Sequence, residues 1–250
     1  MAEDDTRRVP NSTPAAIQAV AGRTGPRYGI LGGTFDPPHL GHLVLAQEVY
    51  VQLRLDRVWF LPSGVPPHKT GKTISTREDR RAMVSLAIGD DDRFGLQTIE
   101  LERSGPSYSA DTLELLRERW GSEASIFFIM GWDMLASLES WHAPTRVLAG
   151  LDILVAVHRP GSTPETAHLA DMMERLPGLR EKLLILPAPQ LDVAATALRA
   201  RVASGLPVRY LVPDGVRDYI ETHRLYQRLP GSVYDEEDQW MPHDNQESER

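Results

Sequence analysis

His39 and His42 stand three residues apart, with Gly41 beside the second, in the stretch YGILGGTFDPPHLGH that spans residues 28–42. Residues three apart share one face of a helix, so both imidazoles can point the same way. Ahead of them lie a short apolar run (Tyr28, Gly29, Ile30, Leu31), the pair Gly32 and Gly33, then Thr34, Phe35, Asp36 and a Pro37–Pro38 corner. Behind them, residues 43–53 have helical spacing. Strand, glycine turn and helix in that order make a place to hold a polyphosphate. Amides at the turn and the helix start face an anion, and the helix dipole favours negative charge there. The imidazoles can donate hydrogen bonds to phosphate oxygens, while Gly32, Gly33, Thr34 and Phe35 supply backbone that a phosphate can approach. Zinc fits less well, because helical zinc pairs more often sit four apart and no third ligand lies nearby. No metal ligand is therefore assigned.

The rest of the chain has to position that turn. Short runs rich in Val, Ile, Leu or Phe at residues 27–31, 57–61, 94–101, 125–129, 152–157 and 183–186 read as strands buried on both faces. Helical segments are expected between and after them, at 40–53, 76–88, 110–120, 134–138, 145–148, 164–174, 195–204 and 214–223. This alternation predicts an α/β fold: a Rossmann-like, doubly wound, mainly parallel sheet with helices on both faces. Ligands on such sheets bind at the carboxyl ends of the strands, where the 28–42 turn falls. A single domain is expected over residues 27–229, between a disordered leader at 1–26 and an acidic, disordered tail at 230–250.

The 250 residues carry a formal charge of −8. Seven acids and one base fall within residues 231–250, so the tail holds −6 of that charge and the rest is close to balance. Overall acidity therefore does not argue against an anionic substrate, but it does argue against nonspecific nucleic-acid binding, which needs a basic surface. There is no cysteine, which excludes disulfides, thiolate metal sites and cysteine nucleophiles. No run approaches the roughly 18 apolar residues of a membrane span, and the N-terminal residues lack an apolar signal core. A cytoplasmic protein with no membrane partner is expected, and a homo-oligomer is compatible with the sequence.

Residues 28–42 resemble the His-x-Gly-His signature of the nucleotidyltransferase superfamily, whose members move a nucleotidyl group with pyrophosphate leaving. Five further stretches narrow the resemblance to the bacterial nicotinate-mononucleotide adenylyltransferases, over nearly all of residues 27–226. The first is LPSGVPPHK at 61–69, a stiff proline loop presenting His68 and Lys69. A point cation there can hold a mobile phosphate. The second is RSGPSYSADTL at 103–113. Ser109 reads as a helix N-cap, and the resemblance sets that helix start against a nicotinate carboxylate. The third, IMGWDML at 129–135, offers Gly131 for close approach and Asp133, which can accept from ribose hydroxyls or cap the helix. Trp132 stands there in place of a small residue, and its bulk can crowd the nucleotide or stack on a base. The fourth is LESWH at 138–142, where Trp141 offers a face for a pyridine ring beside His142. The fifth is LDVAATALR at 191–199. It keeps Thr196 and Arg199 on one helix face but has Ala194 and Ala195 where the family pattern has serines, a loss of about 0.5–1.5 kcal/mol per net hydrogen bond. A sixth region, around 210–226, resembles the family's C-terminal helix and reads as packing.

The resemblance implies an adenylyltransferase that joins the AMP moiety of ATP to nicotinate mononucleotide, giving nicotinate adenine dinucleotide and pyrophosphate in NAD biosynthesis. It implies catalytic roles for His39, His42, Arg199 and Lys69. ATP would meet Gly32, Gly33, Thr34, Phe35, Gly131, Asp133, Thr196 and Arg199. The pyridine mononucleotide would meet Ser109, Trp141, His142, His68 and Lys69. Mg²⁺ would accompany ATP. The alternatives are a sister adenylyltransferase using nicotinamide mononucleotide or phosphopantetheine, and a nucleotide-binding regulatory protein with impaired catalysis, which Ala194, Ala195 and Trp132 motivate.

Overall fold

A computed structural model describes residues 17, 20, 22–64, 74–158, 166–189 and 191–227. Most of the expected leader, the acidic tail at 230–250, and His68 and Lys69 lie outside the described residues.

Six parallel strands form the sheet: β1 (Arg27–Gly33), β2 (Arg57–Pro62), β3 (Phe94–Leu96), β4 (Ser125–Gly131), β5 (Ile153–His158) and β6 (Leu183–Pro187). Their order across the sheet is β3-β2-β1-β4-β5-β6, the doubly wound arrangement. The central strands are apolar at nearly every position, as β4 (SIFFIMG) shows, because both of their faces are covered. Alternate residues enter different cores. Phe127 and Ile129 join Leu31, Val58, Phe60 and Val155 on one side of the sheet. Ile126, Phe128 and Met130 join Ile30, Leu154 and Ala156 on the other.

Helices α1 (Leu40–Gln52) and α2 (Arg77–Ile88) contribute Ala46, Val49 and Val84 to the first core. The chain then forms α3 (Ile99–Glu102), α4 (Ser109–Trp120), α5 (Trp132–Ala136), a 3₁₀ turn at Leu138–Ser140, α6 (Pro144–Gly150), α7 (Thr166–Arg175) and α8 (Leu179–Lys182). Leu113 and Leu116 of α4, with Val147 and Leu148 of α6, close the second core. A third cluster packs Met83 of α2 against Leu198 of α9 (Ala195–Ala203) and against Val216 and Ile220 of α10 (Asp214–Thr222). It docks the C-terminal segments onto α2 and beside the turn that follows β1.

Two departures from expectation are larger than a residue or two. The expected strand at 94–101 stops at Leu96, and the chain turns into α3, where the Leu101 and Glu102 amides donate to the Thr98 carbonyl. The edge position explains this: β3 pairs only with β2, so no second neighbour prolongs it. Packing also begins before residue 27. Val20 is 2% exposed in the first core, and Arg23 pairs with Asp152 at 2.9 Å. The disordered leader expected over all of 1–26 therefore does not extend through these residues. No helix among the described residues is long and apolar enough to cross a membrane.

Candidate active site

The sheet reverses its winding between β1 and β4, so a crevice opens beyond their carboxyl ends. β1 ends there in Gly32 and Gly33, and β4 in Gly131. A Cβ on Gly131 would meet nothing within 4 Å, whereas one on Gly33 would press on the Phe35 ring at 3.0 Å. The first glycine leaves an opening and the second lets the turn fold back on itself. Phe35 carries that turn with a left-handed φ of 52°.

His39 caps α1 and is 7% exposed. Its ring stacks on that of His42, with centroids 3.7 Å apart and planes 24° apart. Gly41 makes the stack feasible, because a Cβ there would stand 3.0 Å from His39 Nδ1. The His39 amide donates to Nδ1 of His42 at 3.1 Å, and Phe35 meets His42 edge-on with centroids 4.9 Å apart. Burial lowers the His39 pKa to about 4. Burial, and then the neighbouring His39, hold His42 well below its ordinary value. His42 is therefore a neutral imidazole near pH 7. Because Nδ1 accepts, its proton sits on Nε2, which becomes the hydrogen-bond donor.

This depression predicts a pH effect on folding. The native state resists protonation of His39 until about pH 4, whereas an unfolded histidine takes up a proton near 6.5. The unfolded chain thus binds more protons in that window, and stability falls as pH drops through it, by about 1.4 kcal/mol per unit of pKa difference. Urea unfolding of the wild type and of His39→Asn at pH 7.5 and 4.5 checks this. The loss on acidification should be smaller in the variant, and equal losses would contradict it.

Asp36 ties three segments to the turn. It is 2% exposed, follows Phe35 and precedes a cis bond to Pro37. Its Oδ1 accepts from the Tyr226 hydroxyl at 2.7 Å, and Oδ2 from the Ser75 amide at 3.3 Å. Its carbonyl accepts from Arg199 Nη1 at 2.8 Å, while Arg199 Nη2 donates to Thr196 Oγ1 at 3.2 Å. Ala194 occupies the N-cap of α9 with no side-chain cap bond, as its missing hydroxyl requires. Thr196 is exposed and Arg199 half-buried on the same face. Burial, followed by the Asp36 charge, pushes the Tyr226 hydroxyl up in pKa, so it stays a donor.

Before α4, the Tyr108 ring stacks on His142, with centroids 4.1 Å apart. Trp141 lies half-buried, its ring near-perpendicular to that of Phe128, and its Nε1 donates to Ser137 Oγ at 3.2 Å. Ser109 is not the N-cap. Tyr108 holds that position with extended backbone, and Ser109 is the first helical residue of α4. Thr112 Oγ1 donates to the buried Glu100 carboxylate at 2.8 Å, and Ser107 Oγ accepts from the Gly64 amide at 3.1 Å. Burial raises the Glu100 pKa. These bonds fasten the 107–112 segment to the end of β2. Asp133 is the second residue of α5, exposed, and Gly131 rather than Asp133 caps that helix.

The fold thus gathers Gly32, Gly33, Thr34, Phe35, His39, His42, Thr196 and Arg199 around one turn, with Gly131 and Asp133 at the end of the adjacent strand. Tyr108, Ser109, Trp141 and His142 form a second group. Sequence reading gave no role to Asp36 and took the region around Tyr226 as packing. The available signal for Asp36 was its place between the turn and the proline corner; nothing local pointed to its partner 190 residues on. Among the described residues no group of three or more His, Asp or Glu could hold a metal ion.

A family model described as cytidylyltransferase-like matches residues 30–201. The chain belongs to that family, nucleotidyltransferases built on this sheet and this turn. Within it, a relative from Dehalococcoides mccartyi (strain ATCC BAA-2100 / JCM 16839 / KCTC 5957 / BAV1) is named "Probable nicotinate-nucleotide adenylyltransferase". It is 46% identical over 203 residues, covering 81% of this chain and 98% of the relative. A relative of the same name from Roseiflexus sp. (strain RS-1) is 47% identical over 199 residues, covering 80% and 97%. Among solved structures, the Plasmodium falciparum nicotinic acid mononucleotide adenylyltransferase complexed with NaAD superposes with a TM-score of 0.64 over 80% of this chain and 97% of that one. At 18% identity, that likeness concerns the fold.

Proposed function

We propose that the chain is a nicotinate-nucleotide adenylyltransferase, joining the AMP moiety of ATP to nicotinate mononucleotide and releasing pyrophosphate in NAD biosynthesis. The observation that carries this reading is the neutral, stacked His39–His42 pair at a helix start on the sheet's reversal point, in a chain nearly half identical to relatives of that name.

A 5′-phosphate oxygen of the mononucleotide attacks the α-phosphorus of ATP in line. The bond from that phosphorus to its bridging oxygen breaks, and pyrophosphate leaves. The nucleophile is already an anion, so no general base is required. The protein's task is to position two polyanions and stabilise the charge that grows in transfer. Nε2–H of His42 donates to the α-phosphate, and His39 lies alongside for the adjoining phosphate oxygens. The amides of the turn at Gly32, Gly33, Thr34 and Phe35 serve the same chain of phosphates. Arg199 and Thr196 hold the β/γ end, and Lys69 the incoming phosphate, with His68 beside it. Gly131 leaves room for the nucleotide, and Asp133 accepts from a ribose hydroxyl. Trp141, His142 and the start of α4 at Ser109 receive the pyridine ring and its carboxylate.

Mg²⁺ suits this donor set as a companion of ATP, since buried neutral imidazoles and an Asp36 already holding two donors offer it few ligands. When bound, it would offset the charge on the phosphates as a Lewis acid. The domain covers residues 27–229, works in the cytoplasm, and takes neither nucleic acid nor membrane as a partner; self-association is compatible with it.

Kinetics on nicotinate mononucleotide, nicotinamide mononucleotide and phosphopantetheine test the acceptor. A higher kcat/KM for the acid is expected, and a clear preference for the amide or for phosphopantetheine would refute it. The bare alanine cap of α9 favours one second reading, a protein that binds ATP without turning it over. ATP binding with no transfer to any of the three acceptors would support that reading instead.

A further inference from the structure

Arg80 of α2 is 1% exposed and has no role in the reading above. Among the described residues its guanidinium forms no ion pair, and the hydrogen bonds it makes there go to main-chain carbonyls. Nη1 donates to Thr34 O at 3.2 Å and to Ser63 O, Nη2 to Gly64 O at 3.0 Å, and Nε to Ser75 O at 3.3 Å. Those carbonyls belong to two places in the chain. Thr34 lies in the turn after β1. Ser63, Gly64 and Ser75 flank residues 65–73, the stretch that carries His68 and Lys69.

Burying a guanidinium costs desolvation, which the charges of the nearby Asp36 and Glu100 offset in part. What it supplies in return is a planar fork of fixed donors, which no other side chain offers. The consequence falls on the phosphate turn. A peptide unit is planar and trans, so a Thr34 carbonyl aimed at Arg80 sends the Phe35 N–H the opposite way. That N–H has no hydrogen-bond partner among the described residues. Phe35 is 2% exposed and sits at a positive φ that a bulky residue adopts only under constraint. An unpartnered donor in a buried residue, one whose ring touches His42, is what an anion would satisfy.

We propose that Arg80 is a positioning residue for ATP: by gathering the Thr34, Ser63, Gly64 and Ser75 carbonyls, it aims the Phe35 amide and fixes the phosphate turn relative to both ends of the 65–73 segment. The proposal rests on the adenylyl-transfer reading for its ligand and names a determinant of phosphate geometry outside the phosphate-contacting residues.

The test compares Arg80→Lys, which keeps the charge and loses the fork, with Arg117→Lys as a control. Arg117 is a half-buried arginine that donates to the Ala124 carbonyl and pairs with Asp152 at the opposite ends of β4 and β5. Thermal unfolding sets a temperature at which all three proteins are folded. Calorimetry then gives affinities for ATP and for inorganic pyrophosphate, and kinetics with nicotinate mononucleotide give kcat and both KM values. In Arg80→Lys, ATP affinity should fall at least about tenfold, roughly one well-formed hydrogen bond to a charged group. Its kcat should fall on the order of 10²-fold, as misplacement of reacting groups does, with a smaller change in KM for the mononucleotide. Arg117→Lys should keep wild-type kinetics. Wild-type ATP affinity and kcat in Arg80→Lys, or equal kinetic losses in both variants, would overturn the proposal. If the wild type binds ATP without adenylyl transfer, the functional reading fails, while the ATP affinity of Arg80→Lys against wild type still decides the role of Arg80. A wild type that does not bind ATP would overturn both.

Discussion

Replacing His42 by alanine should lower kcat by about 10²–10³-fold, the range for loss of one donor aimed at charge developing in a transition state, and should leave the protein folded. The size follows from the state of the ring. Nδ1 is occupied by the His39 amide, burial keeps the ring neutral, and Nε2–H remains for a phosphate oxygen. A donor already fixed in place needs no reorganisation when charge builds at the α-phosphorus. The folding cost is small because His42 contributes a cap contact and an edge-on contact to Phe35, while the core below is built from Ala46, Val49 and Phe60. His42→Asn, which keeps a donor in a different geometry, should recover only part of the activity. Steady-state turnover with thermal unfolding alongside checks both halves. Near-normal kcat in His42→Ala would remove the basis for placing the α-phosphate at this pair.

Arg199→Ala should act on ATP rather than on the acceptor. Its guanidinium reaches the turn through the Asp36 carbonyl and Thr196, and it is half-buried, so its remaining donors can meet a phosphate. A hydrogen bond to a charged group contributes about 1.5–3 kcal/mol, so kcat/KM for ATP should drop by about 10–150-fold, with KM for the mononucleotide nearly unchanged. The exposed Ala194 at the N-cap of α9 and the half-buried Ala195 that begins it put more weight on this arginine, because the hydroxyls the family pattern supplies there are absent. Ala194→Ser should for the same reason tighten ATP binding by a small factor. Initial rates over a grid of both substrates separate the two KM values; an equal rise in both would show that Arg199 organises the whole site rather than the triphosphate end.

Much of this was legible because local chemistry and fold pattern agreed. β4 and β5 are short apolar runs rich in Ile, Val and Phe that alternate with helical segments, as strands covered on both faces do, so the doubly wound sheet and the site at its reversal point could be read together. The His39–His42 pair was legible from spacing, and Gly41 from its place between them. Residues joined by long-range contact were not legible. Arg80 sits in the run REDRR, which reads as a solvated helical face, and only its phase with Met83 and Val84, three and four residues on, marks it as inward. Tyr226 is tied to Asp36 by a bond no periodicity encodes. The edge strand at 94–101 was overread because its apolar composition suits β-structure, whereas its length depends on having neighbours on both sides.

The central claim is adenylyl transfer to a pyridine mononucleotide, and the most direct test is pyrophosphate release by the wild-type protein from ATP, Mg²⁺ and nicotinate mononucleotide, with the dinucleotide quantified in the same reaction. The account predicts pyrophosphate and nicotinate adenine dinucleotide in equal amounts, and no release when the mononucleotide is left out. Folded protein that binds ATP yet forms no dinucleotide would contradict it.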